Sequence, residues 1–138
     1  MRKLIFLIVL VSVSFAISTF FCVIKFFTGE WVNYNQCSLC YYINVPGEVI
    51  DLVNHVSYKN VEISAKYQDG TSLDEFTKIT FTKNEETLKQ IDDFFLLNRF
   101  EKYEQFDGSL KYKKDNFEEY LVKEESFKIK IMHVNFNE

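Results

Sequence analysis

One proline, four glycines and two histidines in 138 residues leave little material for long loops, phosphate-binding turns or histidine chemistry. Gly29, Gly47, Gly70 and Gly108 stand isolated, so the clustered glycines that let a backbone wrap a phosphate are missing. His55 and His133 are the only histidines, and no second cysteine pair joins Cys37 and Cys40, so a usual zinc ligand set is not completed. Neither histidine has a local nucleophile motif to partner it. No metal and no cofactor is therefore expected, and an enzyme is the weaker class. Aromatic residues are abundant instead: 15 Phe and 8 Tyr favour regular structure around one core over flexible linkers.

Charge is absent from Leu4 to Ile24, where LIFLIVLVSVSFAISTFFCVI runs for 21 residues. At 1.5 Å per residue this is roughly 30 Å, the thickness of a bilayer core. Arg2 and Lys3 precede it and Lys25 then Glu30 follow, a bias that puts the N-terminus in the cytoplasm and the remaining chain outside. A cleaved signal peptide is the rival, because Ser14 and Ala16 offer the small residues a signal peptidase reads. Cleavage there would leave an apolar remnant on the mature protein, which favours a retained anchor. The expected plan is an anchor over 1–27, a connecting segment with the cysteine pair over 28–47, and an extracytoplasmic domain over 48–138. The predicted location is the inner (cell) membrane, single-pass.

Removing Arg2, Lys3 and Lys25 from the count leaves 13 basic and 20 acidic side chains, about minus 7 for the outer part. Such a balance repels nucleic acid and anionic head groups and suits a protein partner with a basic surface. It equally serves solubility.

Cys37 and Cys40 follow the anchor by about a dozen residues, and in an oxidising compartment they could form a local disulfide or a redox pair. Two unpaired thiols are the remaining reading. Cys37-Ser38-Leu39-Cys40-Tyr41-Tyr42 resembles the cysteine-x-leucine-cysteine-aromatic-tyrosine motif of the bacterial membrane disulfide-generating quinone reductases. That resemblance implies thiol chemistry at the pair, although the Pro46-Gly47 turn that follows differs from the spanning helices of those enzymes.

Downstream, Val49, Leu52, Val53 and Val56 recur near the helical period and predict a short helix over 48–55, although the run from Ile50 to Asn54 could equally be a strand. Val61, Ile63, Ala65 and Tyr67 alternate with polar residues and predict a strand, with a turn at Asp69-Gly70 and a second, antiparallel strand over 75–82. Asn84 is a helix cap followed by Glu85 and Glu86, where carboxylates meet the positive end of the helix dipole. Leu88, Ile91, Phe94 and Phe95 supply the buried stripe of that helix, which should end near Asn98. Two further strands fit the runs around Leu110 and Tyr112 and around Phe117, Tyr120 and Val122, punctuated by Asp107-Gly108 and Asp115-Asn116. Phe127, Ile129, Ile131 and His133 alternate with Lys128, Lys130, Met132 and Val134 and predict a closing strand. The fold class is α+β: an N-terminal transmembrane helix, then a small antiparallel sheet of about four to five strands packed on one main helix.

His133 shares a predicted strand face with apolar residues and reads as partly buried and structural, while His55 reads as solvated at a helix end. Glu85 and Glu86, Asp92 and Asp93, Glu118 and Glu119, and Glu124 and Glu125 are adjacent acids whose side chains should diverge, so they do not make acid/base couples.

An apolar segment like Leu4 to Ile24 followed by a compact outer domain resembles, in overall organisation, the membrane-anchored periplasmic immunity proteins that protect bacteria from pesticin or colicin M. The resemblance implies binding and neutralisation of an envelope-directed toxin, and it transfers no functional residues. An accessory subunit of a membrane complex, or a thiol-disulfide redox protein using Cys37 and Cys40, are the alternatives.

Overall fold

A computed structural model describes residues 2–26, 30–36, 38–56, 61–68, 74–114 and 118–135. Cys37 and the turns at Asp69-Gly70 and Asp115-Asn116 lie outside them. The chain opens on α1 (Arg2–Phe26), and its Lys3–Ile24 stretch is long and apolar enough to cross a membrane. Nearly all of that stretch is exposed on every side, as a helix surrounded by lipid rather than by protein would be. Its hydroxyls are answered within the helix where they can be traced: Ser12 donates to the Ile8 carbonyl and Thr19 to the Phe15 carbonyl, each at 2.9 Å.

The elements that follow are β1 (Val32–Tyr34), α2 (Leu39–Asn44), α3 (Gly47–His55), β2 (Glu62–Gln68), β3 (Asp74–Thr82), α4 (Glu85–Leu97), β4 (Glu101–Glu104), β5 (Leu110–Lys113), β6 (Glu118–Glu124) and β7 (Lys128–Asn135). All seven strands form one antiparallel sheet in the order β1-β2-β3-β7-β6-β5-β4. The α+β class therefore holds, but the sheet has more strands than the four to five expected. The extra ones are β1 and β4, the two edges. Both are short, and β4 (EKYE) is exposed at every position and carries charge, features that discourage pairing with another chain. The stretch expected to be a connector over 28–47 supplies β1 and α2, so its described part belongs to the domain.

One face of the sheet is covered, by α3 as well as α4 rather than by one main helix. Val49, Leu52, Val53 and Val56 from α3 join Ile91, Phe94 and Phe95 from α4 over Ile63, Ile79, Phe81, Tyr120, Val122, Ile129 and Ile131. Phe95 stacks on Tyr112 at 4.1 Å between ring centroids and meets Tyr120 and Phe100 at 4.9 and 5.2 Å, so aromatic contact concentrates under α4.

Both ends of α4 are fixed by the chain itself. Asn84 Oδ1 accepts from the Thr87 N–H at 2.7 Å, the expected cap. At the other end Asn98 is the C-cap and Arg99 takes φ +63°, while the Phe100 and Arg99 amides donate back to the Phe95 and Leu96 carbonyls at 2.9 and 3.1 Å. This is a Schellman closure with its hydrophobic contact between Phe100 and Phe95, built on an arginine where glycine is the usual residue.

Candidate functional site

Three places concentrate polar chemistry, and the first lies where α1 meets the domain. Ser38 caps α2, its Oγ accepting from the Tyr41 N–H at 3.2 Å and donating to the Asn35 carbonyl at 2.8 Å. That start turns Cys40 towards α1, and Cys40 is disulfide-bonded to Cys22, with Cα atoms 5.1 Å apart. A local Cys37–Cys40 bond, one of the readings open for that pair, gives way to a bond between α2 and α1. Four residues on, the buried Asn44 donates from Nδ2 to the Cys22 carbonyl at 3.0 Å and to the Tyr34 hydroxyl at 3.2 Å. Burial raises the pKa of the Tyr34 phenol, opposed by the hydrogen bond with Asn44. One covalent bond and one buried amide therefore hold α2, β1 and the last turns of α1 together. Cys22 lies near the end of the apolar run from Leu4 to Ile24, and no sequence pattern assigned it a partner. The available signal was that three cysteines permit three pairings, of which only one is local.

The second place is buried. His133 on β7 lies fully inside the covered face, beside Thr77 of β3 and with its ring 4.5 Å from that of Tyr120. Its Nε2 stands 3.5 Å from Glu118 Oε1, which also accepts from the Tyr120 hydroxyl at 3.1 Å. The Tyr120 pKa is pushed upward, first by burial and then by the Glu118 charge. Among the described residues no serine, threonine or cysteine is hydrogen-bonded to this histidine, and its geometry is that of a core residue, more buried than the partial burial expected. Phe127, expected on the same strand face, is instead exposed in the turn between β6 and β7. His55 is exposed at the end of α3, as expected, with its ring 5.6 Å from Phe94.

The third place is the uncovered face of the sheet. Because side chains alternate along each strand, the registered pairs place Lys66, Lys78, Lys111, Lys113, Lys123, Lys128 and Lys130 on this one face. Among described side chains, the strands offer only Glu62, Glu101 and Glu119 against them there. Glu119 reaches Lys111 at 2.7 Å and Lys113 at 3.6 Å, and Glu62 reaches Lys128 at 3.5 Å. Glu125 from the β6–β7 turn bonds Lys130, whose hydrogen bond, with the charges of Lys123 and Lys78, holds that carboxyl below its ordinary range. Aromatic and apolar groups are interleaved: Lys66 Nζ sits 5.2 Å from the Trp31 ring centre and 5.1 Å from that of Phe76, with Met132, Val134, Leu121 and Tyr103 further along.

The helical side has the opposite sign. α3 carries Glu48 and Asp51, and α4 carries Glu85, Glu86, Asp92 and Asp93 against Lys89 alone. The net negative charge of the part beyond α1 is therefore unevenly spread, acidic over the helices and lysine-rich over the open sheet. The adjacent acids do diverge. Glu118 faces the covered side and Glu119 the open one, while Glu124 pairs with Lys83 and Glu125 with Lys130.

Among the described residues no group of three or more His, Cys, Asp or Glu is placed to hold a metal ion. No protein-family model, curated protein or solved structure matches this chain.

Proposed function

We propose that this protein is a membrane-tethered binding protein, anchored by α1 with its N-terminus in the cytoplasm, whose open sheet face is the recognition surface. The observation that supports this reading is the lysine array interleaved with Trp31, Phe76 and Met132 on a face that none of the described helices covers. Five of the seven lysines are ion-paired, Lys123 with Asp107 at 3.6 Å among them, and Lys66 and Lys78 stand outside the described ion pairs, where an acidic patch on a partner can meet them while the apolar residues between them contribute contact area. The charge of about minus 7 on the part of the chain beyond α1 repels a polyanion at long range, which favours a protein with local acidic groups over nucleic acid. A basic partner, expected from net charge alone, would meet the helical side instead.

The toxin-neutralising role of membrane-anchored immunity proteins is the biological setting in which such a tethered module is proposed to work. A redox role for Cys37 and Cys40 would first require Cys40 to leave Cys22. An accessory-subunit role would place the contacts on α1, whose apolar faces are free along the span.

The test is site-specific photocrosslinking in the native host, with the crosslinker at Lys78 on the open face or at Asp93 on the helical side. A discrete protein adduct from position 78 with none from position 93 is the expected result. The reverse pattern would move the recognition surface to α3 and α4, and adducts only from positions within α1 would favour the accessory subunit.

A further inference from the structure

The domain grips the anchor below the anchor's apolar end. Cys22 precedes Ile24 by two residues, about 3 Å along the helix, and Ser18 by six, about 9 Å. Yet a groove of about 570 Å³ between anchor and domain is lined by Ser18, Phe21 and Cys22 on one side and by Val32, Leu39 and Cys40 on the other. The Cys22–Cys40 bond and the Asn44–Cys22 hydrogen bond fix this depth. When the apolar stretch of α1 occupies a bilayer, α2 cannot stand above it.

The composition of this segment suits that position. From Trp31 to Gly47 no side chain is charged, in a chain where 26% of residues are. α2 buries Tyr41 and Asn44 against the protein and turns Leu39, Tyr42 and Ile43 outward, at 36, 62 and 39% exposure. A tyrosine between two aliphatic residues matches the boundary of acyl chains and head groups, where an apolar ring body is buried and the hydroxyl stays wet.

We propose that the outward face of α2 is a second membrane contact: Leu39, Tyr42 and Ile43 lie in the outer interfacial zone of the bilayer that α1 spans, so that the domain is held against the membrane in one orientation. The inference rests on α1 being a membrane anchor. It commits to lipid as the occupant because α2 is continuous, through a covalent bond, with the segment inside the bilayer. With α2 pinned at two points, the domain presents its open face at a fixed angle instead of swinging on a tether, which raises the effective concentration of that face for a partner at the membrane surface.

The experiment uses the full-length oxidised chain in phosphatidylcholine vesicles. Trp31 is the one tryptophan, so a Trp31→Phe background carries either Tyr42→Trp or, as reference, Phe106→Trp on the fully exposed turn between β4 and β5 at the far edge of the sheet. Flotation with the vesicles tests the anchor first, and a protein that fails to float overturns the tether itself. For protein that floats, the indole at position 42 should be quenched by lipids brominated near the head group. Its quenching by aqueous iodide should be at least about threefold weaker than at position 106, as an interfacial ring requires. Equal iodide access at both positions in floating protein overturns the second contact and leaves the anchor standing. Circular dichroism checks that the variants fold, and Ile43→Trp supplies the same reading should Tyr42→Trp fail to do so.

Discussion

Asp92 Oδ1 on α4 accepts two hydrogen bonds at 2.7 Å, from Lys102 Nζ on β4 and from the Tyr112 hydroxyl on β5. Burial alone would raise the Asp92 pKa, but the bonds from Lys102 and Tyr112 outweigh it and hold the carboxyl below its ordinary value. A depressed carboxylate pKa contributes stability that is present above the unfolded value of about 3.9 and is lost as pH falls through the folded one. More than a third of each of the Asp92 and Lys102 side chains is exposed, so solvent screening keeps the effect small, on the order of 1 kcal/mol. Asp92→Asn should therefore lower the thermal midpoint at pH 7 by a few degrees, and the gap to the parent should close as pH falls through the depressed pKa of the Asp92 carboxyl. A constant gap across that range would show that the carboxylate charge contributes nothing.

Arg99 holds φ +63° at the end of α4, in the left-handed region where a Cβ is crowded. The two backbone bonds that close the helix need this conformation, and glycine adopts it without the steric cost. Arg99→Gly should raise stability by about 0.5–1 kcal/mol, read as an increase in the urea midpoint at unchanged slope. A decrease would mean that the arginine side chain makes a contact worth more than the strain.

The cap at Asn84, the stripe of α4 and the alternation of β2, β3 and β7 were legible because each carries a full period of its pattern. β1 and β4 were not. Val32–Tyr34 has three residues, too few for alternation to register, and Glu101–Glu104 is exposed on both sides, so burial imposes no pattern on it. α2 covers six residues, less than two turns. The lysine face illustrates a different limit. The alternating lysines of β5 and β7 are visible in the sequence, but gathering them with Lys66, Lys78 and Lys123 on one surface needs the strand order, which no local pattern encodes. The Cys22–Cys40 bond was hidden because a long apolar segment reads as membrane along its whole length, although its last turns also pack on the domain.

That bond closes a loop of 18 residues, a constraint on the unfolded chain worth roughly 3 kcal/mol. Replacing Cys22 and Cys40 together by serine should lower the thermal midpoint of the detergent-solubilised protein, while the sheet signal in circular dichroism at 25 °C persists, because the main core over β2, β3, β6 and β7 lies outside the junction. Without reduction, alkylation of the parent should label Cys37 alone, and after reduction all three cysteines. Labelling of Cys22 without reduction would overturn the pairing.

The charge asymmetry gives the proposed recognition surface its own test. Lys66 and Lys78 occupy neighbouring strands on the open face, Lys66 between two aromatic rings and Lys78 opposite Met132. Reversing both to glutamate leaves the covered core untouched, and single exposed substitutions of this kind shift stability by no more than about 0.5 kcal/mol. Contact with an acidic partner, by contrast, would change from attraction to repulsion at two points, and like charges placed together at an interface cost several kcal/mol. Lys66→Glu with Lys78→Glu should therefore abolish the adduct formed by a crosslinker moved to Met132, opposite position 78 on the same face, and any protection against an envelope-directed toxin, with the thermal midpoint nearly unchanged. Glu86→Lys with Asp93→Lys on the helical side should leave both intact. If the helical pair removes function and the sheet pair does not, the acidic layer is the recognition surface, and its partner is basic.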